Sequence, residues 1–172
     1  MAPHITRRAL GALALGAATS HAVQAADPLP LPTGKSILTV AGRIARSNRD
    51  GAAKFDVAML EALGTEGFET TTPWYSGPVR FEGVRMQRLM QAVGAIGETV
   101  TAVALNDYTT DIPIADFERY GVLLAMKRDG NYMPVRDKGP LFIVYPYDSK
   151  PELKAQQFYS RAAWQVATLV VK

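Results

Sequence analysis

Short apolar runs, broken by turns bearing glycine, proline, asparagine or aspartate, fill most of this chain. Residues 37–44, ILTVAGRI, are rich in β-branched side chains and predict a first strand. Arg46 to Gly51 form a polar turn, and Asp56 is placed to cap a short helix over residues 57–63, with Gly64 just past its end. Apolar residues recur at Met86, Leu89, Met90 and Val93 before Gly94, which predicts an amphipathic helix over residues 84–93. Residues 99–105 read as a strand leading into a polar loop, residues 106–111. Residues 115–119 predict one helical turn. Residues 121–127 and 132–135, joined through Asp129-Gly130, have hairpin chemistry. A strand follows over residues 141–145, then a helical turn within residues 152–158. Apolar residues alternating with smaller ones from Trp164 to Val170 predict a closing strand. Many short strands with a few short helices define an α+β chain with a mixed β-sheet core.

The stretch over residues 68–90, FETTTPWYSGPVRFEGVRMQRLM, breaks this rhythm. It crowds threonines, a tryptophan, a tyrosine and two prolines just ahead of a helix. Pro73 and Pro78 each remove an amide donor and fix φ, which predicts a rigid loop in place of a strand interior. Such a loop either plugs the fold or lines a pocket.

Composition narrows the classes. The 172 residues suit one domain with a substantial core, and 48% hydrophobic with 20% charged residues are ordinary for a globular chain. Arg7 and Arg8, the apolar run over residues 9–18 and Val23-Gln24-Ala25 have the form of an export leader, residues 1–25. Thr6-Arg7-Arg8-Ala9-Leu10 partly matches a twin-arginine signal, and a general secretory leader fits equally. Either predicts a periplasmic location. Residues 26–35 are a proline-spaced linker and residues 36–172 the domain. Of 19 Lys+Arg, two fall in the leader, leaving 17 against 16 Asp+Glu, so charge gives nucleic-acid binding no support. There is no cysteine, and both histidines, His4 and His21, lie in the leader. That inventory excludes histidine-based hydrolytic triads and the usual zinc sites from the remaining chain.

The order of segments resembles a known family. Ala41-Gly42, Phe55-Asp56, Thr70-x-x-x-Trp74-x-x-Gly77 and Phe81-Glu82-Gly83-Val84 come first. Leu105-Asn106-Asp107-Tyr108, Asp111-Ile112-Pro113-Ile114 and Leu123-Leu124-Ala125 follow, then residues 138–146, KGPLFIVYP, and Arg161-x-x-Trp164-Gln165-Val166. Together they resemble the oxidoreductase molybdopterin-binding domain, the sulfite-oxidase fold, in a compact exported form. The resemblance implies molybdopterin as cofactor and a molybdenum-binding cysteine in the loop after the first helix. The corresponding residues here are Glu69-Thr70-Thr71-Thr72-Pro73-Trp74, which hold no cysteine, and a threonine hydroxyl is a poor substitute for a soft sulfur donor.

The resemblance also implies a cleft bordered by the central stretch, the 106–111 loop and the 136–139 loop. Trp74 and Tyr75 are candidates to stack on a flat ring or a cation, against a plainer role in core packing. Thr70, Thr72 and Ser76 offer hydroxyls to a ligand or to their own backbone. Asn106, Asp107 and Asp111 offer oxygens to a hard cation or an amine, or simply form turns, and Tyr108 offers a hydroxyl. Arg136 and Lys138 can meet an anion such as phosphate, with Gly139 permitting close approach, or they are surface charges beside a turn.

Three functions follow as expectations. The first is an exported cysteine-less domain binding a small ligand or a periplasmic or membrane partner protein, in signalling or redox. The second is an oxidoreductase holding molybdopterin without a thiolate. The third is a structural subunit with Trp74 at an interface.

Overall fold

A computed structural model describes residues 28–172; the predicted leader, residues 1–25, lies outside them. Among these described residues, eleven strands and four short α-helices build two sheets around one continuous apolar core. The α+β class with mixed sheets expected from the sequence holds.

The first sheet contains β1 (Leu38–Gly42), β2 (Ala53–Phe55), β5 (Thr99–Ala104), β6 (Thr109–Pro113) and β11 (Val166–Val171), in the order β2-β1-β11-β5-β6. β11 runs parallel to β1 and antiparallel to β5, so the last strand fills the middle of the sheet. The second sheet has the order β10-β9-β7-β4-β3 and is antiparallel throughout. Its members are β3 (Thr65–Thr72), β4 (Tyr75–Arg85), β7 (Leu123–Arg128), β9 (Phe142–Val144) and β10 (Ala163–Trp164), with β8 (Asn131–Tyr132) paired to β7. The closing strand expected from Trp164 to Val170 is therefore two strands in two sheets. The chain crosses between them at Gln165, whose φ is 54°.

The helices are α1 (Val57–Ala62), α2 (Met86–Val93), α3 (Ala115–Tyr120) and α4 (Gln156–Arg161). Asp56 caps α1 as expected: its carboxylate accepts from the Met59 amide at 2.9 Å. The same carboxylate accepts from the Thr33 and Gly34 amides at 2.9 and 2.7 Å, which docks the end of the linker on the domain. All four apolar positions read for α2 are buried, and the helix ends at Gly94. It starts two residues later than expected, because Val84 and Arg85 complete β4.

The central stretch is the main correction. Residues 65–85 are not a rigid loop but a long hairpin, β3 paired with β4 from Thr65↔Val84 to Thr72↔Tyr75, with Pro73 and Trp74 at its tip. Pro73 sits in the turn, where a missing amide costs little. Pro78 lies beyond the last β4–β7 pair, Phe81↔Arg128, so β4 has a single neighbour there and tolerates proline. A second correction concerns residues 106–111. Thr109 to Asp111 already belong to β6, and the turn is shorter than expected.

Glycine has a clear task at Gly83. The ladder shifts register between Glu82 and Gly83, and a Cβ on Gly83 would stand 2.0 Å from the Leu124 carbonyl oxygen. Only a residue without a side chain lets β4 approach β7 this closely.

Candidate functional site

The hairpin tip, the β5–β6 turn, α4 and β10 meet around one cavity of about 360 Å³. Its walls are aromatic: Trp74 from the tip, Tyr108 from the turn, Tyr159 from α4 and Trp164 from β10. Asn106, Gln156 and Ser160 supply a polar edge, while Pro73 and Ala162 complete the lining. None of these side chains carries a formal charge. The chain's two tryptophans both stand here.

Trp74 is half-buried and meets four rings edge-on: Trp164 at 5.5 Å between centroids, Phe142 at 5.6 Å, and Tyr147 and Tyr159 at 6.2 Å each. It is at once part of the core and a wall of the cavity, so the choice between plug and pocket resolves as both. Edge-to-face contacts of this kind hold a ring in one orientation.

Thr70 and Thr71 fix the hairpin tip without facing the cavity. The Asp148 carboxylate accepts from the Thr71 amide at 2.5 Å and the Thr71 hydroxyl at 2.7 Å, and Lys154 Nζ lies 2.6 Å from it. The buried Thr70 hydroxyl accepts from the Asp148 amide at 3.0 Å. The Lys154 ammonium and the two Thr71 donors hold the Asp148 carboxyl well below the usual carboxylate range. Thr72 acts locally, its hydroxyl accepting from the Trp74 amide at 3.3 Å. Thr70 and Thr71 thus tie the hairpin tip to Asp148, and Thr72 bonds its own backbone. Ser76 is exposed on β4 and outside the cavity lining.

Beside the cavity, Tyr75 is clamped between two cations, Arg128 at 4.6 Å and Lys138 at 5.0 Å from its ring. Its hydroxyl donates to Asp137 at 3.1 Å, and Arg128 pairs with the same carboxylate at 2.7 Å. Burial pushes the Tyr75 hydroxyl pKa up. The Lys138 ammonium also lies 5.2 Å from the Trp164 ring centre.

The remaining candidates divide. Asn106 and Tyr108 line the cavity. The Asn106 side-chain oxygen accepts from the Tyr108 amide at 3.2 Å, and the Tyr108 hydroxyl donates to the Ser160 carbonyl at 3.0 Å. Asp107 is an exposed turn residue with φ 63°. Asp111 lies elsewhere, on β6. It accepts from the Thr101 hydroxyl, stands 3.8 Å from Lys172, and borders a separate, more open hollow with Arg43 and Glu98. The expected set of oxygen donors from Asn106, Asp107 and Asp111 is thus not brought to one point, and no group of three or more acidic, histidine or cysteine side chains among the described residues is placed to hold a metal ion. Arg136 opens into another hollow, beside Asp129 and Asn131. Gly139 packs against protein: a Cβ there would meet the Met133 carbonyl oxygen at 1.8 Å, so its missing side chain serves the loop and not an approaching anion.

Gln156, Tyr159, Ser160 and Trp164 belong to the cavity but were not among the expected site residues. Only the aromatic pair Phe158-Tyr159 and Trp164 hinted at it, and both read equally well as core. Asp148 and its clamp were also missed, since Thr71 and Asp148 stand 77 residues apart in the sequence.

This is an α+β domain of two sheets with an aromatic cavity where the sheets' hairpin tips converge. Residues 53–148, more than half of the chain, match the oxidoreductase molybdopterin binding domain family, and the chain belongs to it. No curated protein matches it.

The family implies a molybdopterin, and the donor set can be tested against it. The sequence has no cysteine, the described residues contain no histidine, and the cavity offers amides, hydroxyls and aromatic faces. Soft thiolate donation is therefore absent. The residues present do not fit a thiolate-held molybdenum centre. Among the described residues no helix is long and apolar enough to cross a membrane.

Proposed function

We propose that this protein is an exported, cysteine-less member of the family that binds a small organic molecule in the cavity between Trp74 and Trp164, and serves a periplasmic signalling or redox system. The observation that carries the reading is the cavity itself. Four aromatic walls, an uncharged polar edge and a volume of about 360 Å³ match the ordinary chemistry of a small-molecule site. The donor set supports the same reading, because it retains a built cavity without the ligand that would fix a metal. Export rests on the leader-like segment of residues 1–25.

The first test is metal and pterin content of the protein exported from its native host. Neither group at stoichiometric level is the expected result. Stoichiometric molybdenum with pterin would overturn the reading in favour of an oxidoreductase whose cofactor is held without a thiolate. Because both tryptophans line the cavity, their fluorescence reports its occupancy directly. A metabolite mixture should shift their emission, and the shift should disappear in Trp74→Ala.

A further inference from the structure

A cation that no carboxylate among the described residues neutralises stands just outside the cavity lining, against its wall Trp164. Lys138 is half-buried and forms no ion pair among the described residues. The neighbouring carboxylate, Asp137, is already engaged by Arg128 at 2.7 Å and by the Tyr75 hydroxyl at 3.1 Å. Two ring faces hold the ammonium in their place, Tyr75 at 5.0 Å and the cavity wall Trp164 at 5.2 Å.

The backbone that presents this lysine is strained. Lys138 has φ 62° and Gln165 has φ 54°, a conformation that side-chain-bearing residues seldom adopt. The two are tied together. The Gln165 amide donates to the Lys138 carbonyl at 3.1 Å, and the Gln165 side chain donates to the Val135 carbonyl at 2.7 Å. Two non-glycine residues tied together this way next to Trp164 over-determine where the wall and the ammonium stand, as strained backbone at binding sites does.

Resting on the reading of this cavity as a ligand site, we propose that it takes a small planar aromatic acid. The ring lies against the tryptophan walls, and the carboxylate reaches past the edge of Trp164 to the Lys138 ammonium. An organic cation would fit the aromatic walls but would be repelled by Lys138. A neutral ring would leave the ammonium unpaired.

Three probes sharing one ring separate the charges: 3-phenylpropionate, 3-phenylpropanamide and 3-phenylpropylammonium, titrated into the 15N-labelled protein while the two indole N–H signals are followed. We expect the acid to move both signals and to bind about ten-fold more tightly than the amide, as a charge-assisted contact does over a neutral one. Lys138→Gln should remove the preference for the acid over the amide, and Lys138→Arg should keep it. Amide or amine binding as tightly as the acid would overturn the acid assignment while leaving the cavity a ligand site. Silence of both indole signals to all three probes at millimolar concentration would overturn the ligand site and the acid assignment together.

Discussion

At the scale of single residues, the aromatic cluster decides what each ring is for. Trp74 touches four rings but is only half-buried, so truncation removes packing and cavity wall together. Trp74→Ala should cost about 2–3 kcal/mol, below the 3–5 typical of fully buried large aromatics. Urea unfolding measures it, and Trp74→Phe should recover most of the loss. Tyr147 behaves differently. Its ring is fully buried, and its hydroxyl has no hydrogen-bond partner among the described residues, while burial pushes its pKa up. Removing an unsatisfied hydroxyl sheds a desolvation penalty, so Tyr147→Phe should be neutral or stabilising by up to about 1 kcal/mol. Tyr145 gives the contrast. Its hydroxyl donates to the buried Asp116 at 2.8 Å beside Arg161 at 2.7 Å, and Tyr145→Phe should cost about 1 kcal/mol. Equal melting temperatures for the two variants would contradict this assignment.

At the scale of elements, what was legible depended on whether a signal was local. The Asp56 cap and the stripe of α2 obey short-range rules, and the structure reproduces both. The β3–β4 hairpin was not legible, because its threonines, glycines and prolines carry loop chemistry in any short window. Its identity comes from long pairing, Thr65 to Val84, and from a neighbour, β7, that covers only part of β4. The site shows the same division. Trp74, Asn106 and Tyr108 were readable as candidates, whereas Tyr159, Ser160 and Trp164 reach the cavity only through the topology. The close approach of β4 to β7 makes a sharp prediction. In Gly83→Ala the new Cβ would press on the backbone oxygen of Leu124, which cannot swing aside as a side chain can. The substitution should cost about 1–3 kcal/mol or more, read as a lowered urea midpoint.

At the scale of the whole molecule, stability should follow groups that titrate at the extremes of pH, with nothing between them. The described residues contain no histidine. On the acid side, Asp148, Glu61 and Glu66 all have pKa values held below their ordinary ones. The causes are the Lys154 ammonium for Asp148, the Tyr132 hydroxyl for Glu61 and the Arg85 guanidinium for Glu66. Unfolding lets them bind protons more readily. Their contribution is present above the unfolded values of about 4 and is lost as pH falls through the lower folded ones. On the alkaline side the native state holds its protons more tightly. Burial raises the pKa of Tyr145 and Tyr147, and hydrogen bonds to Glu61 and Asp148 raise those of Lys127 and Lys154. That contribution is complete below about 10 and declines as pH rises beyond it. The melting temperature of residues 28–172 should therefore stay level between about pH 5.5 and 9 and fall on both sides. Asp148→Asn should flatten the acid limb, because it removes a carboxylate that links the hairpin tip to the 148–154 segment. A step in stability between pH 6 and 7 would require a titrating group that this network of carboxylates, tyrosines and lysines does not contain.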